Sequence, residues 1–418
     1  MRGEIIVIGN ELVTGQVSDL NGCYAARRLT LAGFYVRGIT IIGDEASTIE
    51  STLRCAIARS DFAIITGGLG STSDDITTEI IAKTLERPLV QNADILSRLE
   101  SSLRDRGIAM TPEHQKLALL PQGAEVIDPV HHVCGFFIIH HEKPLFFLPG
   151  VPEQMRNMLD SHVIPGLLDK MSHRTYIKER ILKVFGLEET KVNQLCQGIG
   201  EEQKGVTISF LPRFPETHII ITVRGKEFQQ TQDKLRETEE AIRKRLGSYV
   251  FGRNGQTLEE VIGHLLRSRR LTLAIAESCT GGLIGHRITD IPGSSDYLDR
   301  DVVVYSNRSK EELLKVPKKV LEDYGAVSGE CAEWMARNIR ISSGADLGLS
   351  VTGIAGPTGG TNEKPVGTVF MGMSTSRATV ARGFRFQGSR ESIKIIASEY
   401  ALDWVRRYLI DDTLLFSY

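Results

Sequence analysis

With 418 residues the chain is too long for one hydrophobic core and suits two or three domains of ordinary size. A formal net charge of -2 and a pI near 6.6 exclude a basic field for nucleic acid, and six cysteines scattered without disulfide-like spacing point to a reducing cytosol. No run approaches the roughly 20 apolar residues of a membrane helix, and Met1-Arg2-Gly3-Glu4 enters a strand in place of a signal peptide, so the expected location is cytoplasmic.

The first predicted element is the apolar strand Glu4 to Ile8, which ends in Gly9-Asn10-Glu11-Leu12. A second apolar strand, Phe62 to Thr66, runs into Gly67-Gly68-Leu69-Gly70-Ser71-Thr72-Ser73-Asp74-Asp75, and a helix is predicted from near Ile76. A glycine-rich strand-to-helix loop lets backbone amides approach a phosphate at the positive end of a helix. Adjacent carboxylates suit a hard cation held against a pyrophosphate. Read alone, the same residues describe a glycine turn with Asp74 as an ordinary helix cap.

Gly9-Asn10-Glu11-Leu12 with Gly15, Asp19 and Asn21, then Gly43-Asp44, the loop from Gly67 to Thr77, and Leu148-Pro149-Gly150-Val151-Pro152 resemble the N-terminal domain of CinA proteins, which is similar to the molybdopterin-binding fold. The resemblance implies a three-layer α/β domain over residues 1–170 and a metal-dependent ADP-ribose pyrophosphatase, although related domains only bind or adenylylate molybdopterin. It makes Asp44 and Asp75 candidates for metal-assisted catalysis, and Asp74 and Asp75 candidate ligands of a divalent cation, magnesium or cobalt, with potassium a further candidate. Asn10, Glu11, Gly67, Gly68, Gly70, Ser71 and Thr72 become candidate substrate contacts. Ser71 departs from the family pattern, standing where proline is frequent, and Glu153-Gln154-Met155 replaces the usual acidic residue just before the methionine.

His131-His132 and His140-His141 bracket the apolar stretch Val133 to Ile139; four imidazoles invite a zinc reading, but a bounded strand with polar ends fits the pattern better. After Ile164-Pro165-Gly166, Thr175 to Phe185 reads as a strand and Glu188 to Gly198 as a helix. Val206 to Leu211 and His218 to Arg224 follow as paired strands, and Phe228 to Leu246 as an amphipathic helix. This is a small α+β connector over residues 171–252. The matching region of CinA proteins is KH-like, yet no Gly-x-x-Gly clamp with basic flanks occurs here, which argues against RNA. Phe251-Gly252-Arg253-Asn254-Gly255 reads as the hinge into a last domain, residues 253–418.

In that last domain, Leu271 to Ala276 reads as a buried strand that delivers Ser278, in Ala276-Glu277-Ser278-Cys279-Thr280-Gly281-Gly282, to a turn. A helix opening from Gly281 onward is expected to aim free backbone N–H groups at Ser278. A serine hydroxyl is a poor nucleophile unless a base takes its proton. Val302 to Tyr305 is a second strand, and Ser306-Asn307 starts the helix that carries Lys310. Parallel strands bring such ends together, and a desolvated lysine acts as a neutral base, with Tyr305 to relay the proton or hold the amine. A lone serine and a lone lysine are more often a helix cap and a solvated side chain; the charged run Lys310-Glu311-Glu312, Lys315, Lys318-Lys319 is otherwise a solvated surface. Two further segments tip the balance. Leu347 to Thr352 runs into Gly353-Ile354-Ala355-Gly356-Pro357, whose exposed amides suit phosphate or an oxyanion, and Gly388-Ser389-Arg390 offers an arginine for bidentate phosphate recognition. Cys279 faces away from Ser278 on extended backbone and reads as core. No His-Glu-x-x-His or Cys-x-x-Cys spacing occurs in this half, so the expected chemistry needs no metal.

The ordered series formed by the Ser278 segment, Tyr305-Ser306-Asn307 with Lys310, Gly325-Ala326-Val327-Ser328, Gly353 to Pro357 and Lys364-Pro365-Val366-Gly367-Thr368 resembles the CinA C-terminal family, the nicotinamide-mononucleotide amidases, over about residues 256–412. The resemblance implies hydrolysis of the carboxamide to the acid and ammonia, with Ser278 as nucleophile and Lys310 and Tyr305 as its activating partners. It sets Thr280, Gly281, Gly282, Asn307, Thr352, Gly353, Gly356 and Arg390 around the substrate, requires no cofactor for the amidase, and implies a homodimer. Asp301 is a departure, since the family usually has a small residue there, often glycine. The expectation is therefore an α/β multidomain, bifunctional hydrolase of pyridine-nucleotide salvage. Its partners would be the small molecules nicotinamide mononucleotide and ADP-ribose, not nucleic acid or membrane. A different class stays open: a pterin or nucleotide binding module with a regulatory role beside competence or recombination proteins.

Overall fold

The computed structural model describes residues 1–72, 75–127, 135–171, 175–200 and 203–415. By compactness the chain divides into Met1–Glu179 with Val223–Asp233, and Arg180–Thr222 with Lys234–Tyr418.

The N-terminal strands are β1 (Arg2–Ile8), β2 (Tyr35–Ile42), β3 (Phe62–Thr66), the short ribbon β4 (Leu89–Gln91) with β5 (Leu119–Pro121), then β6 (Glu125–Ile127), β7 (Gly135–His140) and β8 (Lys143–Leu148). Successive side chains of a strand point to opposite faces. Thus Ile5, Val7, Phe62 and Ile64 pack on one side with Leu29 and Met158, while Ile6, Ile8, Ala63 and Ile65 pack on the other with Leu53 and Ile81. Helices cover both faces, which is why these strands read as unbroken apolar runs. The sheet order is β2-β1-β3-β8-β7-β6, parallel through β8 and antiparallel beyond it. The loops after β1, β2 and β3, which carry Asn10, Asp44 and Asp75, therefore leave one and the same edge of the sheet.

The connector has the expected α+β order: β9 (Tyr176–Val184), a helix Glu189–Cys196, β10 (Val206–Arg213), β11 (Glu216–Gly225), a helix Phe228–Leu246 and β12 (Val250–Arg253), in the sheet order β10-β11-β9-β12. The hinge expected at 251–255 is mostly strand. Val250 to Arg253 pairs antiparallel with β9, and the turn is left to Asn254 and Gly255, with the φ of 54 at Asn254 in the left-handed region that asparagine tolerates.

The C-terminal strands are β13 (Leu273–Glu277), β14 (Leu298–Val303), β15 (Leu347–Gly353), β16 (Thr368–Ser374) and β17 (Thr379–Arg385), ordered β14-β13-β15-β16-β17. β13 lies parallel between β14 and β15; β16 and β17 continue antiparallel. Leu273 and Ile275 face the large core built around Trp404 of the terminal helix Arg390–Ile410, whereas Ala274 and Ala276 face Cys331, Met335 and Ile339 of the helix Gly329–Ser343. Among the described residues no helix is long and apolar enough to cross a membrane.

Candidate active site

The turn after β13 is pinned on both sides: Ser278 N–H donates to Val351 O of β15 at 2.9 Å, and Val304 N–H donates to Glu277 O at 2.8 Å. Gly281 and Gly282 follow with φ of 63 and 90, conformations that a side chain would strain, and the helix Leu283–Thr289 begins. On the neighbouring strand end, Ser306 accepts the Ser309 N–H at 3.0 Å and Ser309 Oγ returns a bond from the Ser306 N–H at 3.1 Å. This capping box starts the helix Asn307–Leu314 and turns Lys310 inward. Lys310 Nζ then stands 3.0 Å from Ser278 Oγ and 2.7 Å from Val304 O, with Lys310 only 1% exposed.

Burial holds the Lys310 amine below the ordinary lysine value, against an opposing pull from Cys331 and Cys279. Cys279 packs in the core; burial pushes its thiol up to about 12, so it is no competing thiolate. Tyr305 is 61% exposed and its hydroxyl accepts from Arg390 at 2.9 Å, so of the two roles the sequence left to it, holding the amine falls instead to the carbonyl of Val304. Arg390 also donates to Gly356 O at 2.7 Å, which ties the tyrosine, the arginine and the glycine loop into one rim. Asn307 lies exposed at the helix start beside that rim, and Gly353 packs against Val369. Thr352 is 1% exposed and spends its hydroxyl on Ala326 O at 2.7 Å. That bond braces the 325–328 turn. Thr280 is fully buried and its Oγ1 has no partner among the described residues.

The N–H groups expected to face Ser278 are partly taken. Glu277, fully buried, accepts Gly282 N–H at 2.9 Å and Gly285 N–H at 2.8 Å, so those two amides are not oxyanion donors. Sequence reasoning missed this carboxylate. Its signal was an acidic residue closing an otherwise apolar strand. Also missed was Lys394, whose Nζ lies 3.7 Å from where a Gly281 Cβ would stand. Its signal was the spacing of four from Arg390, which places both cations on one helix face.

In the N-terminal unit, Asp44 Oδ2 accepts the Asn10 N–H at 3.1 Å, and Asn10 Oδ1 accepts the Asp44 N–H at 3.2 Å, closing the β1 and β2 loops on each other. Asp75 Oδ2 accepts the Thr72 N–H at 2.9 Å and hydroxyl at 2.6 Å and lies 2.3 Å from where a Gly70 Cβ would be, so a side chain at residue 70 would have to displace this carboxylate. Gly67 and Gly68 have φ of 109 and 66, and Ser71 and Thr72 complete the loop. Asp74, the second candidate cation ligand, lies outside the described residues, as do His131 and His132. Among the described residues no three His, Cys, Asp or Glu side chains gather as a metal cage. One or two carboxylates are what a magnesium-like ion takes when substrate phosphates and water supply its other ligands, and Asp44 and Asp75 stand in loops that leave the same edge of the sheet. Glu11 lines a cavity of about 230 Å³ with Asp19, Asn21, Thr66 and Gly150. There Asn21 donates to Thr66 Oγ1 at 3.2 Å and Gly150 O at 2.8 Å while its Oδ1 has no partner among the described residues. Thr66, the last residue of β3, had no motif to mark it.

Three family models match in chain order: a probable molybdopterin binding domain over residues 4–169, the damage-inducible protein CinA KH domain over 179–252, and the CinA C-terminal domain over 255–409. The CinA-like protein of Geotalea uraniireducens is 42% identical over 411 residues, covering 98% of each chain. That of Desulfotalea psychrophila is 41% identical over 410 residues, covering 98% of this chain and 99% of its own. Among solved structures, the competence/damage inducible protein of Agrobacterium tumefaciens is 36% identical, covers 37% of this chain and 94% of its own, and has a TM-score of 0.36. With all three domains matched in order and full-length relatives above 40% identity, the chain belongs to the CinA family.

Proposed function

We propose that the C-terminal domain is a Ser–Lys amidase that converts nicotinamide mononucleotide to nicotinate mononucleotide and ammonia. The observation that carries this reading is the buried Lys310 amine 3.0 Å from Ser278 Oγ at the mouth of parallel strands. With the amine neutral, one N–H donates to Val304 O and the lone pair faces the serine proton. Ser278 Oγ attacks the carboxamide carbon while Lys310 takes its proton. Collapse of the tetrahedral adduct breaks the C–N bond, and Lys310 returns the proton to the departing ammonia. Water then cleaves the acyl-serine by the same path reversed. Arg390, Lys394 and the Gly353–Gly356 segment would hold the nucleotide phosphate. The reading is tested by ammonia release from nicotinamide mononucleotide in wild type and Ser278→Ala: release by wild type alone upholds it, and equal release by both defeats it.

The pH profile is a second check. Because burial lowers the Lys310 value, kcat/KM should rise with pH through a midpoint below the ordinary 10.5 as the amine becomes neutral. A rise that begins only near the ordinary lysine value would remove Lys310 as the base.

For the N-terminal domain the proposal is a metal-dependent ADP-ribose pyrophosphatase. Asp75 and Asp44 would hold the divalent ion, which when bound polarises a phosphoryl oxygen; the Gly67–Thr72 loop offers amides to the diphosphate. Asp75→Asn should lower divalent-dependent cleavage of ADP-ribose by on the order of 100-fold. Unchanged cleavage would take Asp75 out of the mechanism. Small nucleotide substrates, a cytoplasmic location and a homodimer complete the proposal.

A further inference from the structure

Behind the Ser278 turn lies an acidic group that the amidase reaction does not use. Asp301, on β14, stands in register with Ile275 of β13, so its side chain leaves the same face as those of Ile275 and Glu277. There its carboxyl fills the space left by Gly285: a Cβ on that glycine would come within 2.1 Å of Asp301 Oδ2. Asp301 Oδ1 is buried with no partner among the described residues, although the carboxyl lies within hydrogen-bonding reach of Glu277. Two ionised carboxylates are acceptors only, so contact between them satisfies neither unless a proton sits between. Glu277 is the group through which this matters, because its two oxygens hold Gly282 and Gly285 N–H and thereby the loop that follows Ser278.

We infer that Asp301 and Glu277 form an acid–carboxylate pair sharing one proton, and that Asp301 is a positioning residue holding the Ser278 turn through Glu277. The catalytic consequence rests on the amidase reading above. Burial first, then the charge of Glu277, push Asp301 up to about 8. The groups facing it are Glu277 from β13, the Gly285 N–H from the helix Leu283–Thr289 and the Val302 N–H of its own strand, while the neighbouring Asp299 and Arg300 pair with each other. Loss of the shared proton sets two negative charges against each other beneath the turn. The departure noted at Asp301 thus has a counterpart: an acid fits there because residue 285 has no side chain.

The test compares full-length wild type with Asp301→Asn, whose amide donates to Glu277 but does not titrate. In wild type, kcat for ammonia release should fall above pH about 8, by roughly tenfold per pH unit, with KM little changed; in Asp301→Asn the falling limb should be absent. Melting gives a readout independent of turnover. A carboxyl whose folded value is raised stabilises the fold fully below its ordinary 3.8 and loses that contribution as pH rises through about 8, so the wild-type melting temperature should drop over that window and the variant's should not. Asp301→Gly, which removes the carboxyl, should also lack both effects and serves if the asparagine variant does not fold. Identical pH profiles and identical melting in wild type and variants would overturn the pair. No ammonia from wild type at any pH would defeat the amidase reading instead, and the melting comparison would still decide whether the proton is shared.

Discussion

Lys310→Met should leave a folded chain that releases ammonia from nicotinamide mononucleotide at least about 10³-fold more slowly than wild type. The fold should survive because the residue is 1% exposed and an apolar chain of similar length fills the space without a buried amine. The rate should not survive, since the variant removes the group that takes the Ser278 proton and returns it to ammonia. Ser278→Ala should cost about as much. The double variant should cost little more than either, because groups that act as a unit are non-additive. Steady-state kinetics on the three variants, with circular dichroism to confirm folding, checks this; Lys310→Met activity within tenfold of wild type would sink the Ser–Lys mechanism.

Arg287→Ala should be the most destabilising substitution near the site. Arg287, on the helix that follows the Ser278 turn, is shared between Glu259, Ser398 Oγ at 2.7 Å and Glu399, all in the interior. Burial pushes Glu399 up to about 7 even against the pull of Arg287. Without the guanidinium, two buried carboxylates lose their counter-charge, at a cost of about 3–5 kcal/mol. For a unit of this size that lowers the melting transition by on the order of 10 °C. The loss should grow as pH rises, because at low pH the orphaned carboxyls take up protons and at high pH they cannot. Calorimetry of the full-length variant at two pH values measures both effects; a transition within about two degrees of wild type would show that the cluster contributes specificity of packing and little stability.

Much of the architecture was legible in the chain because the signals are local. Strands covered on both faces are continuous apolar runs, and Phe62–Thr66 and Phe228–Leu246 match their expected limits. The loops that carry Ser278, Gly356 and Gly67 follow strand ends for the same reason. Boundaries failed where pairing overrode local composition: Gly252 and Arg253 look like a linker but extend a sheet edge, and the strand expected to reach Tyr305 stops at Val303. The individual contacts were less legible. That Tyr305 meets Arg390 and that Val304 O holds the amine depends on where an exposed and a buried residue of one short segment point as the strand ends. No spacing rule encodes that.

The order of nucleophile, base and glycine loops, and the family to which they belong, are properties of the linear chain, because residue type and spacing carry them. Whether the base is neutral is not such a property: it depends on the burial of Lys310 at the ends of β13 and β14, a many-residue effect of packing on the stability of a charge. The same holds for Asp301. Its letter in the chain marks only a departure, and its role arises because β14 lies beside β13 and opposite a glycine 16 residues upstream, an adjacency that exists only once the sheet has formed.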